Sequence, residues 1–487
     1  MFQWKDLLCA DTLCQKEKAP SSWEDYPMDP FEQDYREIIN SVSFRRLQDK
    51  SQVYQLGNGD FVRTRLTHSL EVSTIAKQLG IMLVFNEKWN HIPVFHDMPI
   101  DYARALPTVL ASAGLLHDMG NPPFGHEGEY AIGTWFRDSL ERDDFTFCER
   151  PIRDVLSEQM KADLCNFEGN AQVIRMLAKS RFLFDEQEAN VSLATISTLI
   201  KYPVSSVVMD RNNPDHRAQK FGFFYSEEDF VKFLRQKTGI SVPDEPFARN
   251  PLTFLLEAAD DIAYVASDLE DAVAKKEFTI HQLVGFMRRQ IDALPKEGDE
   301  QHQMQLLTVE GILNNLVLRL EKCNGGELEE MAAFRNWINY LRNWLMYVTA
   351  CSFVQHWEAI MNGTFRDELL DGSMHKYTIR ILKQEMRTNV YPRLGDVHLS
   401  VHKILTELTE RFATAVIHWT VQKELDPADL YTVQMIPERL KTVYMLERGD
   451  DEAANLYLRF RMATDYIASM TDTYARDLYR KLNALSV

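Results

Sequence analysis

The sequence predicts an all-α protein with at most one small hairpin, and three observations carry that expectation. Apolar residues recur at i, i+3 and i+4 in one segment after another. No stretch alternates apolar and polar residues long enough to build a large sheet. Gly and Pro break the helical text near 325, 363, 392–395 and 427, where helix ends are expected. There is no internal repeat or low-complexity tract.

Residues 1–35 read as an irregular N-terminal arm with a short helix, because Pro20, Pro27 and Pro30 interrupt it. From Tyr35 to Gln52 the text turns helical, with Ile38, Ile39, Val42, Phe44 and Leu47 among arginines. Gly57-Asn58-Gly59-Asp60 is a turn. Thr64 or Thr67 can cap the next helix, whose first turn carries His68. Asp101 can cap the helix that delivers His117 and Asp118, and Asn121-Pro122-Pro123 stops it. Further helices are expected over 127–140, 163–179 and 191–202, with an exposed loop over 203–220. Asn250-Pro251 starts a long helix through Ala274. The chain divides into the arm, a catalytic core over 36–280 and a helical C-terminal region over 281–487 that packs on the core.

Composition narrows the function. The chain of 487 residues is 45% apolar, enough for a large core, and carries a formal net charge of −18. So acidic a surface argues against non-specific nucleic-acid binding as the main activity, and a polyanionic substrate would need a locally positive pocket. The six cysteines show no CxxC spacing and read as thiols rather than disulfides or a zinc site. The longest apolar run, about 344–354, is too short for a bilayer, and the N-terminus lacks a signal peptide's pattern, so a cytoplasmic protein without membrane association is expected.

The chemistry concentrates in residues 114–129, Gly-Leu-Leu-His-Asp-Met-Gly-Asn-Pro-Pro-Phe-Gly-His-Glu-Gly-Glu. His117 and Asp118 close an apolar helix, where both can bend toward one ion. His68 is a second ligand candidate. In the helix after Asn250, Asp260, Tyr264 and Asp268 share a face at i, i+4, i+8. Asp260 and Asp261 compete for the ligand role, and the register with Tyr264 and Asp268 favours Asp260. Two imidazoles and two carboxylates suit Mn²⁺, Mg²⁺, Fe, Co or Ni, with Zn²⁺ as a further alternative.

These segments resemble the HD-domain metal-dependent phosphohydrolases, and more narrowly the bacterial deoxyguanosine triphosphate triphosphohydrolases. The resemblance runs through residues 44–53, 62–72, 114–129, 167–172, Lys201-Tyr202, 257–272 and 465–472. It implies hydrolysis of dGTP or another dNTP at the α-phosphorus, to a deoxynucleoside and inorganic triphosphate. It implies that His68, His117, Asp118 and Asp260 hold a divalent metal, Mn²⁺ or Mg²⁺ first. His126 and Glu129 match the catalytic pair, with the Glu able to orient and charge an imidazole three residues before it. Arg65, Lys201 and Tyr202 match phosphate contacts. Gln52 and Asp268 match contacts to the sugar, and Tyr264 matches a ring that would clash with a 2′-hydroxyl.

The resemblance also implies a homo-oligomer, a hexamer, with single-stranded DNA as an effector. One departure stands out. Where the family usually has a Glu followed three residues later by Gly after a His-Pro turn, this chain has His398 and Val401, within 390–401. Arg439, Arg459 and Arg461 are candidate contacts to nucleotide or to another subunit, or else members of internal ion pairs. The alternatives are a broad-specificity dNTPase, an HD phosphohydrolase acting on a nucleoside monophosphate or cyclic nucleotide, and a nucleotide or single-stranded DNA sensor.

Overall fold

The structure, a computed structural model, describes residues 1–13, 29–53, 62–89, 91–96, 98–179, 189–242, 245–390, 395–421 and 424–484. The expected turn at 57–60 and the stretch 391–394 lie outside the described residues. The protein is all-α, and the one small sheet among the described residues is the antiparallel pair Thr146–Phe147 and Arg150–Pro151.

The helices Arg65–Val84 and Ile100–Leu116 pack on one another, and Pro251–Ala274 lies across both. Each supplies an apolar face to one core, through Val72, Leu79, Leu106, Leu110, Leu255 and Ile262. Gly114 lets the first two approach closely, since a Cβ there would sit 2.6 Å from the Ser73 Cα. Thr64 and Thr67 exchange hydrogen bonds as a capping box at the start of the Arg65–Val84 helix. Arg63, just ahead of it, pairs with Glu71, Glu270 and Asp271 and ties that end to the Pro251–Ala274 helix. Asn250 caps the latter and Pro251 opens it, as the sequence predicts.

A second apolar core joins Phe124, Ile132 and Phe136 to Leu405, Phe412, Leu456, Phe460 and Ile467. The C-terminal helices Gly395–Val416, Glu452–Ser469 and Asp472–Leu482 thereby pack under the residue 121–140 segment.

Several expectations are corrected. The text from Tyr35 to Gln52 is not one helix. Ser41 is extended (φ −68°, ψ 149°) and its hydroxyl accepts from Phe44 N at 3.2 Å, so it ends Pro30–Asn40 and caps Val42–Arg46. The 163–179 helix is two, Glu158–Cys165 and Gly169–Lys179. Only Leu193–Thr198 of the 191–202 stretch is an α-helix. The residue before the His117 helix is Pro99, with Asp101 inside the first turn rather than capping it. The loop over 203–220 is partly buried: Arg217 and Ala218 are inside, followed by buried Phe221 and Phe224. In the N-terminal arm, Phe2, Trp4, Leu7 and Leu8 join the first core. No helix among the described residues is long and apolar enough to cross a membrane.

Candidate active site

A cavity of about 550 Å³ opens where the three long helices meet the 121–126 turn and the C-terminal helices. The His117 helix ends at the imidazole itself, which is the C-cap. His117 Nδ1 donates to the Gly114 carbonyl at 2.8 Å, which leaves Nε2 as a lone-pair donor facing the cavity. Asn121 Nδ2 donates to Asp118 Oδ1 and turns Oδ2 inward. Across the gap, His68 Nε2 lies 3.0 Å from Asp260 Oδ1, and His117 Nε2 lies 3.6 Å from the same oxygen.

Ligand atoms of His68, His117 and Asp118 all fall within 4.8 Å of one another. His117 Nε2 is buried without a hydrogen-bond partner, and Asp118 Oδ2 takes no hydrogen bond of good geometry. Its neighbours are the Arg65 guanidinium at 2.8 Å and His117 Nε2 at 3.8 Å. Buried polar atoms left this way are costly unless a ligand completes them. Burial opposes charge on His117, but Asp118 and Asp260 overcome it and push its pKa up to about 9. The field at the cluster therefore favours a cation. Two imidazole nitrogens and a carboxylate oxygen grouped in this way, with the Asp260 carboxylate beside both imidazoles, could hold a metal ion.

Asp261 also lines the cavity but takes a different partner. Its Oδ1 accepts from Lys383 Nζ at 2.7 Å, so the neighbouring carboxylates of one helix face different partners. Tyr264, one turn past Asp260, lines the cavity, whereas Asp268 is buried one turn further and is not part of the wall. Gln52 lines the cavity too, and its Oε1 is buried with no hydrogen-bond partner. Lys201 pairs with Glu257 at 3.2 Å and lies 5.6 Å from the Tyr202 ring centre.

The turn after Asp118 presents a second reactive pair. Phe124 and Gly125 both take positive φ, 62° and 60°. Gly125 is required, since a Cβ there would lie 2.3 Å from the Arg65 guanidinium in a backbone region that L-residues avoid. His126 opens the helix His126–Leu140, and its side chain is 76% exposed toward the cavity. The His126 Nδ1 and Glu129 Oε2 are 2.7 Å apart, and Glu129 Oε1 accepts from Gly169 N at 2.7 Å. Glu129 raises the His126 pKa above its ordinary value by charge and hydrogen bond. Burial opposes charge on the Glu129 carboxylate too, but His126 holds its pKa low. Gly169 is fixed by contact, because a Cβ would meet Asn121 Oδ1 at 2.4 Å and Glu129 Oε1 at 2.8 Å.

Sequence reasoning missed several residues of the wall. Lys220 pairs with Glu168 at 3.0 Å on the cavity edge. Its signal was the Phe221-Gly222-Phe223-Phe224 run that follows, which anchors the loop. Gly222 packs so closely that a Cβ would sit 2.1 Å from the Tyr202 carbonyl oxygen. Lys383 and Arg387 reach in from the C-terminal region, beside His398, the residue already singled out at the family's usual Glu position, whose Nδ1 lies 3.5 Å from Glu127 Oε1. Thus five Lys and Arg side chains (Arg65, Lys201, Lys220, Lys383, Arg387) meet at one cavity of a strongly acidic chain. Arg459 and Arg461 do not join them. Both are buried, Arg459 bonded to the Tyr444 hydroxyl and Arg461 to Gln172, with the Arg461 guanidinium 3.5 Å from the Phe224 ring centre. Of the two roles that the sequence leaves open for them, the internal one is observed and contact with nucleotide or another subunit is not.

Comparison with known proteins agrees with this geometry. Residues 65–183 match the HD domain family. The deoxyguanosinetriphosphate triphosphohydrolase-like protein of Listeria monocytogenes serovar 1/2a (strain ATCC BAA-679 / EGD-e) is 39% identical over 94% of both chains. The deoxyguanosinetriphosphate triphosphohydrolase of Yersinia pestis (strain Pestoides F) is 30% identical over 96% of both. That of Enterobacter sp. (strain 638) is 29% identical over 93% of this chain and 94% of its own.

Proposed function

Because the chain belongs to the HD-domain family of deoxyguanosinetriphosphate triphosphohydrolases and their like, we propose that it hydrolyses deoxynucleoside triphosphates, dGTP first, at the α-phosphorus. The products are a deoxynucleoside and inorganic triphosphate. The observation that carries this reading is the meeting of a His/Asp cluster, the His126–Glu129 pair and five cationic side chains around one cavity.

In this reading His68, His117, Asp118 and Asp260 hold a divalent ion, Mn²⁺ or Mg²⁺. When bound, such an ion polarises a phosphoryl oxygen and lowers the pKa of water. The chain's own groups do the rest. Arg65, Lys201 and Lys220 receive the phosphates, with Arg65 able to grip two oxygens through its planar fork. Tyr202 closes the wall beside Lys201. The unpartnered Gln52 Oε1 accepts a hydrogen bond from the sugar 3′-hydroxyl. His126, kept protonated by Glu129, delivers a proton to the departing 5′-oxygen. By family resemblance the chain assembles with further copies of itself, as a hexamer, with single-stranded DNA as an effector and not a substrate.

The test is incubation with Mn²⁺ or Mg²⁺ and each of the four dNTPs and GTP, with both products identified by mass. Inorganic triphosphate from dGTP supports the reading, whereas orthophosphate or pyrophosphate refutes it. Tyr264 against the deoxyribose would exclude a 2′-hydroxyl by bulk. Tyr264→Ala is therefore expected to raise the GTP-to-dGTP rate ratio about tenfold or more, and an unchanged ratio would remove that role.

A further inference from the structure

The turn that carries His126 is held from the far end of the chain. Lys50 is buried, and its Nζ donates to the Asn121 carbonyl at 2.5 Å and to the Ala468 carbonyl at 2.8 Å. Asp472 Oδ1 accepts from Phe124 N at 2.8 Å, while Oδ2 accepts from Ser51 N at 2.9 Å and from the Ser51 hydroxyl. The buried pair thus fixes a carbonyl at the start of the turn and an amide in its middle. The held amide opens the two positive-φ residues, Phe124 and Gly125, whose conformation aims His126 at the cavity. A non-glycine residue at positive φ is strained and persists only where its surroundings over-determine it. Here the Phe124 ring is locked in the second apolar core and its amide is taken by Asp472. Arg65 N donates to the Lys50 carbonyl at 2.9 Å, so the same clamp also sets the strand-like segment from which Gln52 and Arg65 reach the site.

We propose that Lys50 and Asp472 are positioning residues for the reaction, clamping the 121–125 turn between the Ser51 segment and the C-terminal helix pair so that His126 stands at its working place. This rests on the proposed function, in which His126 delivers a proton. Neither residue lines the cavity, so each acts through the backbone it holds, and on His126 through the turn.

The experiment is a double-mutant cycle on dGTP hydrolysis with kcat, KM and bound metal measured for every variant. Asp472→Asn leaves one acceptor oxygen for two backbone amides. It is expected to lower kcat roughly 10- to 100-fold, with KM and metal content within about twofold of the unsubstituted protein. In the His126→Ala background the same change should cost less than about twofold, because the group it positions is gone. Thr473→Ala is the control. Thr473 Oγ1 donates to Asp49 Oδ1 at 2.9 Å and joins the same two segments without touching the turn, so kcat should stay within about twofold. Lys50→Arg, which keeps the charge but not the geometry, repeats the cycle if Asp472→Asn fails to fold. An equal fold-loss in the His126→Ala background, or an equal loss from Thr473→Ala, overturns the positioning role. If His126→Ala itself turns over normally, the proposed function fails rather than the clamp alone.

Discussion

Replacing His126 by alanine is expected to lower kcat by about 10²- to 10⁴-fold while leaving metal and nucleotide bound. That loss corresponds to about 3–5 kcal/mol of barrier. The reason is positional. His126 stands on the cavity wall across the Pro122–Gly125 turn from the His117–Asp118 pair, and its Nδ1 is engaged by Glu129. Its Nε2 is the atom left for the leaving group. Because Glu129 is itself fixed by the Gly169 amide, Glu129→Gln should retain the shape but drop the charge that keeps the imidazole protonated. The sign follows from the raised His126 pKa. The protonated form persists to higher pH with Glu129 than without it, so Glu129→Gln should move the alkaline limb of the kcat profile to lower pH. Steady-state kinetics with metal analysis separates the two roles. Loss of metal along with turnover in His126→Ala would make His126 a ligand instead.

The second large effect separates two adjacent carboxylates. Asp260→Ala should weaken metal binding by at least about 100-fold, a loss larger than that of a residue that merely orients a ligand. Asp261→Ala should leave the metal in place, because its carboxylate faces Lys383. Metal content after gel filtration, measured by elemental analysis, reads this directly. A metal-free Asp261→Ala protein with a loaded Asp260→Ala protein would invert the assignment.

How much of this was legible in the chain depends on sequence distance. The all-α class followed from periodicity, which each helix carries locally. His117, Asp118, His126 and Glu129 stood out because one short segment holds them all. Asp260 could be favoured over Asp261 only by register. What separates them in space is Lys383, 122 residues away, and no local pattern encodes it. Lys220 was hidden because the loop before it is polar, and only the Phe run after it buries it. For Arg459 and Arg461 the sequence leaves an external contact and an internal role both open. The partners that enclose them, Gln172, Phe224 and Tyr444, come from other parts of the chain. The break at Ser41 turned on a single hydroxyl competing for a backbone amide, a choice that periodicity cannot see.

The central claim is the bond that breaks. Hydrolysis of dGTP in ¹⁸O-labelled water, with both products analysed by mass, tests it most directly. Attack at the α-phosphorus places the label in inorganic triphosphate and leaves deoxyguanosine unlabelled. Label in orthophosphate with dGDP as co-product, or in deoxyguanosine itself, would contradict the account.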